Sequence, residues 1–400
     1  MNKSIHFTGQ PTFSQLINLI PKGIVAKCVD RNSSDRYYKT FTTQNHLNCM
    51  LFACYGHCHS IRELVSGMRA LEGKLQYTGL KVLPARSTFS EANARRDSKV
   101  FEDIYSHLKQ HFDHFLPDSR RTSEKLYIID STVIQLFQEI FKGSGCSKAD
   151  GRRKGGLKVH MAVQANQSSP SIIHISNGAD NDKVFNKYVN LPMGSTVIMD
   201  RGYRDYRQYN LWNQQNIRWI TRMHPHSYYV VRKRYKVSPE DKKNGIRKVQ
   251  EIQLGFPQNR IPKVSCRLIC YTDPKSAKYL EFITNDMLTE PLLIADLYKK
   301  RWRIELLFKR LKQNMPLHYF LGDNQNAIKI QIWCALIADL LIDLILKQIK
   351  RKWAFSNVTS LIRLHLFNYL NLFSFLENPD QALIQTFKEK PTQLKLNLSG

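Results

Sequence analysis

Apolar residues recur at three- and four-residue spacing through Leu47, Met50, Leu51 and Cys54, and again through Val100, Phe101, Ile104 and Leu108. That is the period of helices with one buried face, so the chain reads as helical from about Pro11 to Phe115. Within it, Thr88-Phe89-Ser90-Glu91 fits a capping box with Thr88 as N-cap, opening a short helix that carries Asn93, Arg95 and Arg96. The polar, Pro-containing stretch from Pro117 to Ser123 marks a boundary, after which the period changes. Leu126 to Phe137 is apolar on both alternating faces, as a central strand covered on both sides would be. Strands at Leu157–Gln164 and Ser171–Ser176 follow, then a helix over Asp182–Val189, a strand at Thr196–Met199, a helix near Tyr203–Gln214 and a strand at Ile217–Thr221. Three strands, helix, strand, helix, strand is the order of an RNase H-like α/β core. Turn signals at Pro225, Pro239 and Asn244-Gly245 punctuate a β-rich segment beyond it, and past Pro291 the chain is helical again almost to its end.

Charge narrows the function. The 400 residues hold 60 Lys and Arg against 33 Asp and Glu, a net charge of +27, with 42% apolar residues. The apolar content builds a core and excludes a disordered polyelectrolyte. The excess of positive charge points to an anionic partner, nucleic acid or membrane. The longest apolar run, Ile332 to Leu346, is interrupted by Asp339 and Asp343, which suits a buried helix better than a membrane span. Met1 to Gln10 has no apolar signal core, so a cytoplasmic location is expected. Eight cysteines in a chain of this length are too sparse for a disulfide scaffold. From Arg222 to Lys263 there are 11 Lys and Arg against Glu240, Asp241 and Glu251, which reads as an inserted β-rich unit with a basic face around Arg232, Lys233 and Arg234.

Three carboxylates stand out. Asp130 lies inside the apolar strand Tyr127-Ile128-Ile129-Asp130-Ser131-Thr132-Val133, where burial is costly without a compensating cation or donor. Asp200 ends Thr196-Val197-Ile198-Met199-Asp200, delivered to the sheet's carboxyl edge. Glu305 follows a helical stretch from Asp296. Two strand-borne Asp residues and a helix-borne Glu make an oxygen-ligand set suited to Mg²⁺. On one continuous helix, Tyr298, Arg301, Glu305 and Lys312 share an arc of about 60°, beside an apolar stripe of Leu297, Ile304, Phe308 and Leu311. Trp302 borders the same face. Asp180 and Asp182 are acidic neighbours that stand in reserve as alternative ligands.

Tyr298, Arg301, Glu305 and Lys312 reproduce the pattern Tyr-x2-Arg-x3-Glu-x6-Lys, and with Asp130-Ser-Thr and Asp200-Arg-Gly-Tyr the chain resembles the DDE transposases of bacterial insertion sequences, in the insertion-sequence-four group. The resemblance covers about residues 125 to 315. It implies an RNase H-like catalytic core interrupted by a β-rich insertion, with a helical N-terminal domain and a helical C-terminal region. The segments expected are 1–120 (helical, a DNA-binding domain or a structural bundle), 121–222 and 278–320 (core), 223–277 (insertion) and 321–400 (helical), where the apolar face of Trp333, Leu336 and Leu340 is the natural place for a dimer contact. It further implies that Asp130, Asp200 and Glu305 hold two Mg²⁺ ions, with Mn²⁺ as substitute, for two-metal phosphoryl transfer. Tyr298, Arg301, Trp302 and Lys312 would contact the DNA, together with Arg95, Arg96, Arg232, Lys233 and Arg234. The partners implied are terminal inverted repeats, target DNA and a second copy of the chain, at the bacterial nucleoid, with cut-and-paste release through a hairpin intermediate.

Two alternatives stay open on the residues alone: a metal-dependent nuclease without strand transfer, and a non-enzymatic DNA-binding protein. Other signals are weaker. Gly143 to Lys148 lacks phosphate-loop spacing, and His46, Cys49, Cys54, His57, Cys58 and His59 lack a second ligand pair at zinc-finger spacing.

Overall fold

The computed structural model describes residues 10–71, 73, 75–115, 125–135, 145–147, 153–256 and 262–380. The Pro117–Ser123 boundary, the N-terminal nine residues and half of the Gly143–Lys148 loop lie outside the described residues. In chain order, six helices come first: α1 (Thr12–Asn18), α2 (Lys22–Asn32), α3 (Thr43–Gly56), α4 (Ile61–Arg69), α5 (Arg86–Arg95) and α6 (Lys99–Phe115). Strands β1 (Leu126–Gln135), β2 (Gly145–Ser147), β3 (Arg153–Gln164), β4 (Ile172–Asn177) and β5 (Thr196–Met199) follow, with a 3₁₀ turn at Asp182–Tyr188 and another at Arg201–Tyr203. Then come α7 (Tyr206–Gln214), β6 (Arg218–Arg222), β7 (Tyr229–Tyr235), α8 (Pro239–Lys243), β8 (Ile246–Leu254), β9 (Val264–Thr272) and β10 (Tyr279–Thr284). Helices α9 (Pro291–Lys299), α10 (Trp302–Asn314), α11 (Gln325–Gln348), α12 (Phe355–Leu364) and α13 (Leu372–Glu377) close the described chain.

Two compact units result: residues 117–310, and residues 1–116 with 311–400. In the second of these, α11 is the central post, packed against α3, α5, α6 and α12. Asn324 starts it by accepting a hydrogen bond from Ala327 N at 2.8 Å. Trp333, Leu336 and Leu340 are buried within this unit, so the apolar face expected to dimerise is occupied by the chain's own helices. The short helix with Arg95 also differs from expectation. It begins at Arg86, with Ala85 as N-cap and no side-chain cap, so Thr88 is its third residue and not its cap. Ala85, directly after Pro84, is extended with φ −61° and ψ 152°, and the chain turns into the helix there without a hydroxyl to receive the first free N–H groups.

Arg96 is a correction as well. It ends α5 with 2% of its surface exposed, donates to Phe41 O at 2.7 Å, lies 3.6 Å from Asp35 and sits over the Tyr38 ring at 4.1 Å. A guanidinium enclosed by backbone, carboxylate and aromatic ring ties the loop after α2 to α5 and is withdrawn from DNA. His46 is equally enclosed, with Phe41, Phe89 and Phe101 around its ring and Asn93 Oδ1 2.8 Å from Nε2. It is a packed core histidine.

In the other unit the strands form one mixed sheet, ten-stranded among the described residues, in the order β2-β3-β1-β5-β6-β10-β9-β8-β7, with β4 also on β3. The part β4-β3-β1-β5-β6, antiparallel through β1 and parallel from β1 to β6, fits an RNase H-like core. The segment read as an insertion supplies β7, β8 and β9, which continue the same sheet through β10. Its turn at Asn244-Gly245 needs glycine: φ is +99°, and a Cβ there would meet Thr272 O at 2.2 Å. The expected helix over 182–189 is the 3₁₀ turn Asp182–Tyr188, and the one near 203 starts at Tyr206, where Asp205 caps it.

The two faces of this sheet bury different clusters. Ile129, Val197, Met199 and Trp219 face α7 and the 3₁₀ turns, with Trp212 and Tyr203. Leu126, Ile198 and Ile220 face α9, with Ile294, Ala295 and Tyr298. Strand alternation therefore assigns every residue near the strand ends to one face or the other.

The burial of His46 has a consequence for stability. Burial first, then Arg96, lowers its pKa from 6.5 to about 3. The unfolded chain takes up this proton as pH falls below about 6.5 while the fold does not. Stability is thus complete above that range and declines by about 1.4 kcal/mol per pH unit below it. Urea unfolding at pH 7 and pH 5 should differ by about 2 kcal/mol from this group, and His46→Gln should show a correspondingly shallower pH dependence.

Candidate active site

Ile129 pairs with Met199 across the parallel strands β1 and β5, so Asp130 and Asp200 are the next residues on adjacent strands. Adjacent strands lie about 4.8 Å apart. Asp130 has the parity of Leu126 and Ile128, Asp200 that of Ile198, and Arg222 at the end of β6 that of Ile220. All three side chains therefore leave the sheet on the face covered by α9 and α10.

From that side comes Glu305. Arg301 joins it to the strands: Nη1 donates to Asp130 Oδ2 at 2.6 Å, and Nη2 donates to Glu305 Oε1. Asp130 Oδ1 also accepts from Ser131 N at 2.8 Å, and Arg222 Nη2 donates to Asp200 Oδ1 at 3.3 Å. Burial pushes the Asp130 carboxyl up to about 6, with Asp200 and Glu305 adding to the rise and Ser131 N and Arg301 opposing it. In this set of contacts three carboxylates face two guanidiniums, which leaves one negative charge uncompensated.

The single helical arc read from the sequence is broken. α9 stops at Lys299 and α10 starts at Trp302, and between them the backbone bonds run three residues back (Lys300 N to Leu297 O, Arg301 N to Tyr298 O, Ile304 N to Arg301 O). This tighter turn presents Arg301 sideways between Asp130 and Glu305. Tyr298, expected to contact DNA, is a further correction. Its ring is buried, 5.0 Å from Phe282 in the cluster under α9, and burial raises the phenol's pKa. Trp302 at the start of α10 is 59% exposed. Lys312, two turns past Glu305 on α10, is half-buried, and desolvation lowers its pKa.

The remaining predicted residues lie elsewhere. Arg95 is exposed and pairs with Glu91 at 2.8 Å. Arg232, Lys233 and Arg234 are exposed on β7, the last strand of the sheet, where Lys233 lies 5.1 Å over the Tyr235 ring. Among the described residues no three carboxylate, His or Cys side chains converge closely enough to share one ion, because Arg301 stands between two of the carboxylates. The donor set is nonetheless of the kind a hard divalent cation takes: oxygen donors only, partly buried, with three carboxylates against the two guanidiniums that contact them.

Two participants are not evident from sequence pattern. Arg222 stands in the string as one of many basic residues, although its parity with Ile220 on a strand beside Thr196–Met199 marks it. Asp182 is an acidic neighbour in sequence, but its place is on the opposite face, where it accepts from Ser131 Oγ at 2.9 Å.

Known proteins resemble this chain over much of its length. Residues 121–341 match the family described as Transposase DDE domain, and residues 8–81 match one described as a domain of unknown function. A protein of Sinorhizobium fredii that carries a transposase name, y4zB, is 30% identical over 258 residues, 64% of this chain and 70% of its own. A protein of Synechocystis named as a transposase for the insertion sequence element IS4SA is 26% identical over 70% of this chain and 77% of its own. The transposase for IS231D of Bacillus thuringiensis subsp. finitimus is 23% identical over 68% of each. Among solved structures, the piggyBac transposase in a synaptic complex with hairpin DNA aligns at TM-score 0.43 and 11% identity, over 98% of this chain and 84% of that one, a likeness too low to bear on the fold. With more than half of its length inside the matched domain, the chain belongs to the DDE transposases of bacterial insertion sequences.

Proposed function

We propose that this transposase cuts its element at the terminal inverted repeats and joins the freed 3′ ends to target DNA, with Asp130, Asp200 and Glu305 as the catalytic carboxylates. The observation that carries the reading is that Asp130 and Asp200 lie side by side on β1 and β5, and that Arg301 links Asp130 to Glu305 of α10 on the same sheet face. Two Mg²⁺ ions, or Mn²⁺ in their place, would supply activation of the attacking hydroxyl and stabilisation of the leaving oxygen when bound. Asp130 and Asp200 hold fixed spacing because their strands are hydrogen-bonded neighbours, and Glu305 approaches from the helix. Arg301 pairs with Asp130 and Glu305 and Arg222 with Asp200, and both guanidiniums are placed to turn toward a phosphate once other cations take that role. Lys312, along the same helix, is a further phosphate contact. Exposed Trp302 suits stacking on an unpaired base, the need that a hairpin route creates.

DNA binding in this reading uses Arg95 and the Arg232–Arg234 strand, while Arg96 and Tyr298 serve packing. Two ends must be processed in concert, so the chain acts as a dimer in the DNA complex, through a surface other than the buried face of α11. Among the described residues no helix is long and apolar enough to cross a membrane.

A supercoiled plasmid bearing the element's two ends tests the reading. Mg²⁺-dependent cleavage should be abolished by EDTA, Asp200→Ala and Glu305→Gln, while gel-shift affinity for end DNA stays within about threefold; intact cleavage by Glu305→Gln removes it from the site. Joining of 3′ ends to target DNA separates a transposase from a nuclease. Affinity for end DNA should also fall steeply with salt, by about 10³-fold or more between 50 and 200 mM if six or more phosphates are neutralised. A flat response in filter binding argues against the basic surfaces as the DNA contact.

A further inference from the structure

On the sheet face opposite the three carboxylates, one acidic side chain touches the supports of both Asp130 and Asp200. Asp182, the first residue of its 3₁₀ turn, accepts from Ser131 Oγ at 2.9 Å, and Ser131 is the residue after Asp130. Asp182 Oδ2 lies directly against Gly202, where a Cβ would come within 2.8 Å of it, and Gly202 N donates to Asp200 Oδ2 at 3.5 Å. The carboxylate is held in turn by Lys158 Nζ at 3.2 Å, and Lys158 also donates to Asp180 O at 2.6 Å. Its neighbour His160, fully buried, lies between Tyr203 Oη at 3.2 Å and Ser176 Oγ at 3.1 Å, and Tyr203 follows Gly202. One side chain is thus in contact with β1 just past Asp130, with β3 through Lys158, and with the turn just past Asp200.

We propose that Asp182 is a positioning residue that sets the spacing of Asp130 and Asp200 from beneath the sheet, and that Gly202 is glycine so that this carboxylate can reach. The inference rests on the proposed role of Asp130 and Asp200 in metal binding. Strand parity separates it from a ligand role: Ser131, with the parity of Ile129, points to the face of Trp219 and Tyr203, whereas Asp130 points to α10. Asp182 therefore acts on the site through the backbone of its neighbours. Hydrogen-bonding partners behind metal ligands fix ligand orientation, and their loss costs about 10- to 100-fold in metal affinity.

The test is Mn²⁺ titration of the full-length protein, followed by calorimetry and electron paramagnetic resonance, beside thermal melts and the Mg²⁺ dependence of end cleavage. Asp182→Ala should weaken Mn²⁺ binding by about tenfold or more at unchanged stoichiometry, and raise the Mg²⁺ needed for half-maximal cleavage in proportion. Asp182→Asn, which keeps an acceptor for Ser131, should recover affinity to within about threefold of wild type. Gly202→Ala leaves the carboxylate in place but pushes against it, and should weaken Mn²⁺ binding in the same way. This variant carries the test should Asp182→Ala melt below the assay temperature. Wild-type Mn²⁺ affinity in Asp182→Ala or Gly202→Ala overturns the proposal, and loss of one bound ion makes Asp182 a ligand instead. Mn²⁺ binding that survives Asp200→Ala removes the underlying metal reading, a result distinguishable from failure of the Asp182 variants alone.

Discussion

The placement of two carboxylates side by side, Asp130 within β1 and Asp200 just past β5, governs this molecule's catalytic unit. Asp130 and Asp200 are brought side by side by the β1–β5 pairing, and the cost of holding like charges there must be met by cations. Arg301 and Arg222 meet most of it, one from the turn between α9 and α10 and one from the neighbouring strand β6. Arg301 reaches both Asp130 and Glu305 from the tighter turn between α9 and α10.

The two faces of the sheet divide labour as a result. One carries the carboxylates and their guanidiniums, and the other carries the polar chain of Ser131, Asp182, Lys158, His160 and Tyr203, of which His160 and Tyr203 are buried. Buried His160 is satisfied by Tyr203 and Ser176, as an apolar setting requires. Burial holds His160 neutral by lowering its pKa to about 4, so it orients its neighbours without adding charge. Strand geometry carries the position of this second face to the first, since consecutive residues on a strand differ only in the side to which they point.

Elements whose pattern is local are legible in the amino-acid string. The strands around Tyr127–Thr132 and Val197–Met199 and the helices over Leu47–Cys54 and Val100–Leu108 follow from alternation and from the 3.6-residue period. The three acids are legible too, because a carboxylate in an apolar strand and a fixed-spacing signature are properties of the string. Arg96 and Tyr298 look like DNA contacts in sequence because type and spacing say nothing about enclosure. One is surrounded by Asp35, Tyr38 and Phe41, and the other by the cluster with Phe282. Trp333, Leu336 and Leu340 mislead in the same way. An apolar helix face is visible in sequence, but what covers it is not, and here the covering helices include α3, α5 and α6, remote along the chain.

By itself, then, the sequence determined the helical and strand-rich stretches of the chain, the strand-borne and helix-borne acids, the excess of positive charge and the family signature. Each depends only on residue identity and short spacing. Tertiary structure decided which arginine faces which carboxylate, that β7 to β9 prolong the core sheet, and that Asp182 meets Ser131 on the sheet face opposite Asp130. Those outcomes depend on strand pairing between segments dozens of residues apart. Pairing register, unlike periodicity, is set by the packing of the whole sheet.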